Sequence, residues 1–245
     1  MKGPMPTEVE QPRRPMTDVA LGSGKMFDAI ARRYDLVNRV ISLGTDQGWR
    51  RKTVAALAIE KDDHILDVAT GTADLALACA RAGAHVTGVD PSAGMLAIGA
   101  RKVAQAGLEN RVTLARGDAQ DLGGAGAVYD GACMAFGIRN IPDRALALRE
   151  LVRVVRPGGR IAILELTEPR RGVVGALARF HVHRVVPFVG GLLSGAREYR
   201  YLQASIAAFP PPAEFAATMA ASGLADVEAR PLTFGVATLF VARRP

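Results

Sequence analysis

The chain has 245 residues, 49% hydrophobic and only 5% aromatic, enough for one substantial core built mainly from Ala, Val, Leu and Ile. Its 31 basic and 24 acidic side chains leave a net charge of +7, which suits nucleic acid or an anionic membrane surface as well as an ordinary solvated surface. The basic residues are scattered (Arg32, Arg33, Arg50, Arg51, Lys52, Arg170, Arg171) without interleaved aromatics, which argues against nucleic acid; uncharged stretches such as 185–196 are too short to span a bilayer.

Residues 1–22 are polar and Pro-rich and read as a disordered tail before a single domain that fills 23–245. Segment 23–60 reads as a helical lid. From there, "HILDVAT" (64–70), "HVTGVD" (85–90), "VTLARGD" (112–118), "YDGACMAF" (129–136) and "GRIAILELTE" (159–168) are predicted strands. Apolar residues at three- and four-residue spacing predict helices over 73–83, 91–107 and 143–155, with Asp143 as N-cap of the last and "RPGG" (156–159) as its stop. Single helices between strands imply a parallel, doubly wound sheet with a cofactor-binding core over 64–169. Segment 170–208 reads as a helical insertion covering the substrate. A helix over 211–223 and two strands, 226–234 and 236–244, close the chain as an antiparallel hairpin.

"LDVATGTADLA" (66–76) joins a strand, a turn of small residues and a helix start, which lets backbone approach a ligand closely. A dinucleotide fingerprint would need G-x-G-x-x-G, whereas Ala69, Gly71 and Asp74 occupy those positions, and an acid at the last would repel a pyrophosphate. Asp67, inside an apolar strand, suits a cationic ligand such as S-adenosylmethionine. Asp90 ends the second strand, where a carboxylate accepts two ribose hydroxyls. Asp118 ends the third, where it accepts from the adenine amine beside the Ala119 backbone N–H. Each Asp alone is equally a turn or cap residue; three at successive strand ends point to the methyl donor. Cys79 and Cys133 have neither metal-ligand nor disulfide spacing and read as buried small hydrophobes.

With these residues placed, the chain resembles the ubiquinone/menaquinone biosynthesis C-methyltransferase family. "YDLVNRVISLGTDQGW" (34–49) is similar to that family's Y-D-x-M-N…S-x-G…H-x-x-W signature, and "RVVRPGGRIAILELT" (153–167) to its R-V-L-K-P-G-G…E-x-S signature. "FGIRN" (136–140), "YRYLQASIAAFP" (199–210) and "LTFGVATL" (232–239) follow in family order. The departures are Val37 for Met, Asp46 for His, Ala73 for the last Gly of the turn, Thr167 for Ser, and Ala135 where bacterial members place a Ser beside the cofactor. Asp46 matters most, exchanging a cation for an anion near the expected substrate entrance.

The resemblance implies a class I, Rossmann-like methyltransferase with a mostly parallel seven-stranded sheet and an antiparallel C-terminal hairpin. It implies S-adenosylmethionine as cofactor, no metal, and cofactor contacts at Thr72, Asp90, Asp118 and Ala119, with Asp67, Gly71 and Ala135 lining the same site. The implied substrate is a prenylated quinol, demethylmenaquinol or the related benzoquinol; another small phenolic ring is the alternative, and nucleic acid is not expected. Cytoplasmic placement, contact with the inner face of the membrane and a homodimer complete the expectation.

The family's catalytic region falls on Arg139 and Asn140, with Tyr34 contributed by the lid. Ionising a phenol of pKa ~10 at pH 7 opposes reaction by roughly 4 kcal/mol. A charge-assisted hydrogen bond returns about 1.5–3 kcal/mol of that, so Arg139 is a candidate phenolate clamp, with Asn140 orienting a water or ring oxygen. The competing reading pairs Arg139 with a helix-terminal carboxylate such as Asp143. Glu165 is open between facing the site and being a buried paired acid. His181 and His183, two apart on a predicted helix, face different sides and make a poor metal pair; His64 and His85 read as structural.

Overall fold

Near-continuous apolar runs along the predicted strands are the signature of a sheet covered on both faces, and the computed structural model has that sheet. It describes residues 39, 42, 44–168 and 196–245. In chain order these form α1 (Asp46–Leu57), β1 (His64–Val68), α2 (Asp74–Arg81), β2 (His85–Asp90), α3 (Ala93–Gln105), β3 (Val112–Arg116), β4 (Tyr129–Ala135), α4 (Arg144–Val154) and β5 (Val155–Leu166). Then come α5 (Ala196–Ala207), α6 (Pro212–Ala221), β6 (Ala225–Leu232) and β7 (Ala237–Arg243). The expected tail, the start of the lid and most of the 170–208 insertion, with Tyr34, Val37, His181 and His183, lie outside the described residues.

The seven strands run in the order β3-β2-β1-β4-β5-β7-β6. The first five pair in parallel, and β7 is antiparallel to both β5 and β6. Side chains alternate between two cores, as the two-residue period requires. Ile65 and Cys133 join Trp49, Leu57, Leu75 and Cys79 under α1 and α2. Leu66, Val68 and Met134 join Leu148, Leu151, Phe215 and Phe240 under α4 and α6. Cys79 and Cys133 are free buried thiols with sulfurs 4.0 Å apart. His64 and His85 sit at strand starts with their rings 5.8 Å apart.

One boundary differs from expectation. Helix α4 does end at Val154, just before "RPGG", but β5 begins at Val155 and takes in those four residues instead of starting at 159. The four residues are absorbed as an irregularity: Tyr129 pairs with Val155, but Gly131 pairs with Arg160. Gly158, at φ 79°, makes the excursion in a region side chains disfavour.

Candidate active site

The strand order reverses between β1 and β4, and the crevice outside their carboxyl ends is where an open α/β sheet binds its ligand. Gly137, just past β4, closes one side: a Cβ there would lie 2.7 Å from Ala69 Cβ, so only glycine permits this approach. On the other side, the turn after β1 holds Ala69, Gly71 and Ala73 at φ of 53°, 56° and 66°. The left-handed region costs an alanine roughly 1–2 kcal/mol. Backbone bonds offset it: Thr70 N–H donates to Val89 O at 3.0 Å and Ala73 N–H to Thr70 O at 2.9 Å.

Asp90 completes the restraint. One carboxylate oxygen accepts Gly71 N–H at 2.9 Å and the other accepts Ser92 N–H at 2.9 Å. Two backbone donors thereby fix the orientation of an acceptor with about four lone-pair sites, as recognition of a vicinal diol needs. Asp118 sits just beyond β3, where its Oδ1 accepts Gln120 N–H at 2.9 Å; it is a turn residue as well as a strand-end acid. Ala119, beside it, packs partly buried on the α4-side core. Thr72 is buried, and its hydroxyl accepts from Lys102 Nζ at 3.0 Å.

Asp74 requires a correction. Lys102 Nζ bonds its Oδ1 at 2.7 Å, so its charge is neutralised by α3 and would not repel a pyrophosphate as expected. Asp67 does carry an unusual charge environment. It is 1% exposed and accepts from Thr70 Oγ1 at 2.6 Å, with Cys133 Sγ 3.6 Å from its other oxygen. Burial pushes its carboxyl up to about 6, against the Thr70 bond and the nearby Arg50 cation.

The end of β4 is built differently. Ala135 is half-buried against the core, Phe136 takes a positive φ of 60°, and a 3-10 turn over Ile138–Asn140 presents Arg139 and Asn140. Arg139 is ion-paired, but not with Asp143, which caps α4 by accepting Leu146 N–H at 2.8 Å. The partner is Glu165: Arg139 Nη1 donates to Oε1 at 2.6 Å and Arg139 N–H donates to Oε2 at 3.1 Å. Nη1 also donates to Phe136 O at 2.9 Å. The Glu165 side chain is fully buried and takes Leu166 N–H as well, so the role left open for it is that of a buried paired acid. Asn140 Oδ1 accepts the hydroxyl of Tyr201, from α5, at 3.1 Å. Burial raises the Tyr201 pKa, the Arg139 and Arg144 cations opposing it, so this hydroxyl remains a donor at neutral pH.

Asp46 faces inward. It is 3% exposed and accepts from Ser42 Oγ at 3.0 Å, with Arg50 Nε 4.0 Å from its other oxygen. Tyr201 lies in the family-like segment 199–210 and Ser92 and Lys102 in the helix predicted over 91–107, but only the folded chain brings their side chains to the site. Among the described residues, no group of three or more His, Cys, Asp or Glu gathers as metal ligands, and no helix is long and apolar enough to cross a membrane.

A small-residue turn pinned by a strand-end carboxylate, with an acid within, at the end of or just beyond each of three adjacent strands and an antiparallel closing strand, defines a class I S-adenosylmethionine-dependent methyltransferase. Solved structures share this fold. A putative S-adenosylmethionine-dependent methyltransferase from Methanococcus maripaludis superposes with a TM-score of 0.67 at 14% identity, covering 94% of this chain and 97% of that one. Phosphoethanolamine N-methyltransferase 2 from Haemonchus contortus, solved with S-adenosyl-L-methionine, gives 0.60 at 16% identity over 79% of this chain and 52% of that one. The chain belongs to the ubiE/COQ5 methyltransferase family, which it matches over residues 17–244. A demethylmenaquinone methyltransferase of Thermus thermophilus is 48% identical over 224 residues, 90% of this chain and 100% of that one. A ubiquinone/menaquinone biosynthesis C-methyltransferase of Syntrophotalea carbinolica is 44% identical over 217 residues, 88% of this chain and 91% of that one.

Proposed function

We propose that the protein methylates a ring carbon of a prenylated hydroquinone, with demethylmenaquinol as its substrate. The observation that carries this reading is the end of β4, where Arg139 and Asn140 stand beside the cofactor turn and Tyr201 reaches Asn140. The activities for which the relatives are named agree with it. Asp90 and Thr72, with Asp118 and Ala119 at the adenine end, would hold S-adenosylmethionine at the turn, where it would supply an electrophilic methyl group. Asp67, Gly71 and Ala135 line the same crevice.

The chain's own residues then have to favour ionisation of a ring hydroxyl. Arg139 contributes less than a lone guanidinium would, because Glu165 offsets its charge and occupies Nη1. Asn140 and Tyr201 therefore act with it. The Asn140 amide N–H2 donates to the ring oxygen, Tyr201 orients that amide by donating to its Oδ1, and the Arg139–Glu165 pair behind them keeps the turn in place. Tyr34 would add a donor from the lid. With a net charge of +7, the protein would meet its lipophilic substrate at an anionic membrane surface.

Incubating purified protein with methyl-labelled S-adenosylmethionine and demethylmenaquinol, the corresponding benzoquinol, or total RNA tests this reading. Label is expected in menaquinol; label in RNA, or in neither quinol, overturns it.

A further inference from the structure

Helix α1 turns Trp49, Arg50, Thr53 and Leu57 toward the sheet and leaves Arg51 and Lys52 exposed. A guanidinium on the inner face is costly unless acceptors meet it. Arg50 is 7% exposed. Its nearest carboxylate is Asp46, 4.0 Å from Nε and already bonded to Ser42. Its Nε is buried and finds no hydrogen-bond partner among the described residues. Its other neighbour is the Phe136 ring, 5.3 Å from the guanidinium carbon to the ring centre.

That location is informative. Phe136 is the residue between β4 and Gly137, whose backbone closes on Ala69, and the Arg50 charge is felt by Asp67 in β1. Arg50 therefore lies beside the crevice between β1 and β4, a five-donor planar cation whose Nε has no acceptor among the described residues. Asp90 and Asp118 serve the adenosine end of S-adenosylmethionine. The opposite end is an amino acid, whose carboxylate needs a cation, and whose ammonium suits the Asp67 side of the same crevice.

We infer that Arg50 anchors the α-carboxylate of the cofactor's methionyl group, by charge-assisted hydrogen bonds that include the unpartnered Nε. This rests on S-adenosylmethionine being the cofactor, and it assigns a binding residue on α1, outside the strand-end motifs.

Calorimetric binding of S-adenosylhomocysteine and of its decarboxylated analogue, which keeps adenosine, sulfur and ammonium, tests the assignment without any turnover. Wild-type protein should bind the homocysteine form about 10- to 100-fold tighter, the range of a charge-assisted hydrogen bond. Arg50→Met should remove that preference, weakening the first ligand by the same factor and leaving the second within about twofold, while Arg50→Lys falls between. Equal affinity of the wild type for both ligands overturns the assignment, as does an Arg50→Met variant that loses both equally or neither. Should that variant fail to fold, the wild-type comparison decides alone. A wild type that binds neither compound removes the cofactor reading, and this assignment with it.

Discussion

The two halves of the crevice are held together by opposite means. On the β1–β2 side, the contacts that shape the turn run to backbone or to a near neighbour: Asp90 grips the N–H groups of Gly71, 19 residues before it, and of Ser92, and Thr70 closes on Asp67 three residues before it. On the β4–β5 side, shape depends on side chains far apart in sequence, Arg139 with Glu165 and Asn140 with Tyr201. The first side is a binding platform that forms with its strands. The second exists only once the sheet has assembled and α5 has docked, so the reacting end should be more sensitive to distant substitutions than the cofactor end.

The largest expected effect tests that contrast directly. Glu165→Ala takes the carboxylate away from a buried guanidinium, and losing one partner of a buried ion pair costs about 3–5 kcal/mol. Urea unfolding should show a loss of that size; a loss below ~1 kcal/mol would mean that Arg139 is solvated without its partner.

Next in size is a pH effect on the other side. Burial raises Asp67 from 3.8 to about 6, so the native protein binds this proton more readily than the unfolded chain does. Stability therefore falls as pH rises between ~4 and ~6, by about 3 kcal/mol at 1.36 kcal/mol per unit, and the cost is complete above that window. Asp67→Asn should flatten the slope in that interval in a series of denaturation curves, and an unaltered slope would assign the titration elsewhere.

The smallest effect separates binding from chemistry. Tyr201→Phe removes the bond to Asn140 and should lower kcat by about three- to tenfold, the worth of one neutral hydrogen bond. The Kd for S-adenosylhomocysteine should remain unchanged. A parallel loss of cofactor affinity would show that the two halves of the crevice are not independent.

Most of the platform is legible in the residues, because its determinants are local. Apolar runs mark β1 and β2, small residues mark the turn, and Asp90 ends β2 within reach of the turn's backbone. The same locality explains what is not legible. Glu165 can be matched to Arg139 only through the parallel pairing of β4 with β5, in which Ala135 stands opposite Leu164. "RPGG" has the composition of a loop, and only the irregular pairing at Tyr129 and Gly131 shows it inside β5. Arg50 looks like one more scattered base. Its signal is helical spacing with Trp49, Thr53 and Leu57, which puts it on the inward face, and the meaning of that placement depends on Phe136 lying beneath it.

Trp49 stands next to Arg50 and is the chain's only tryptophan. Its ring centre is 6.3 Å from that of Phe136, and its indole N–H donates to Thr233 Oγ1 at 2.8 Å, linking α1 to the turn between β6 and β7. The protein therefore carries a built-in optical probe: tryptophan fluorescence, free of any second source, reports on one place where the crevice, the lid helix and the closing hairpin meet. A ligand that moves Phe136 changes its emission, and loss of the hairpin exposes it to water.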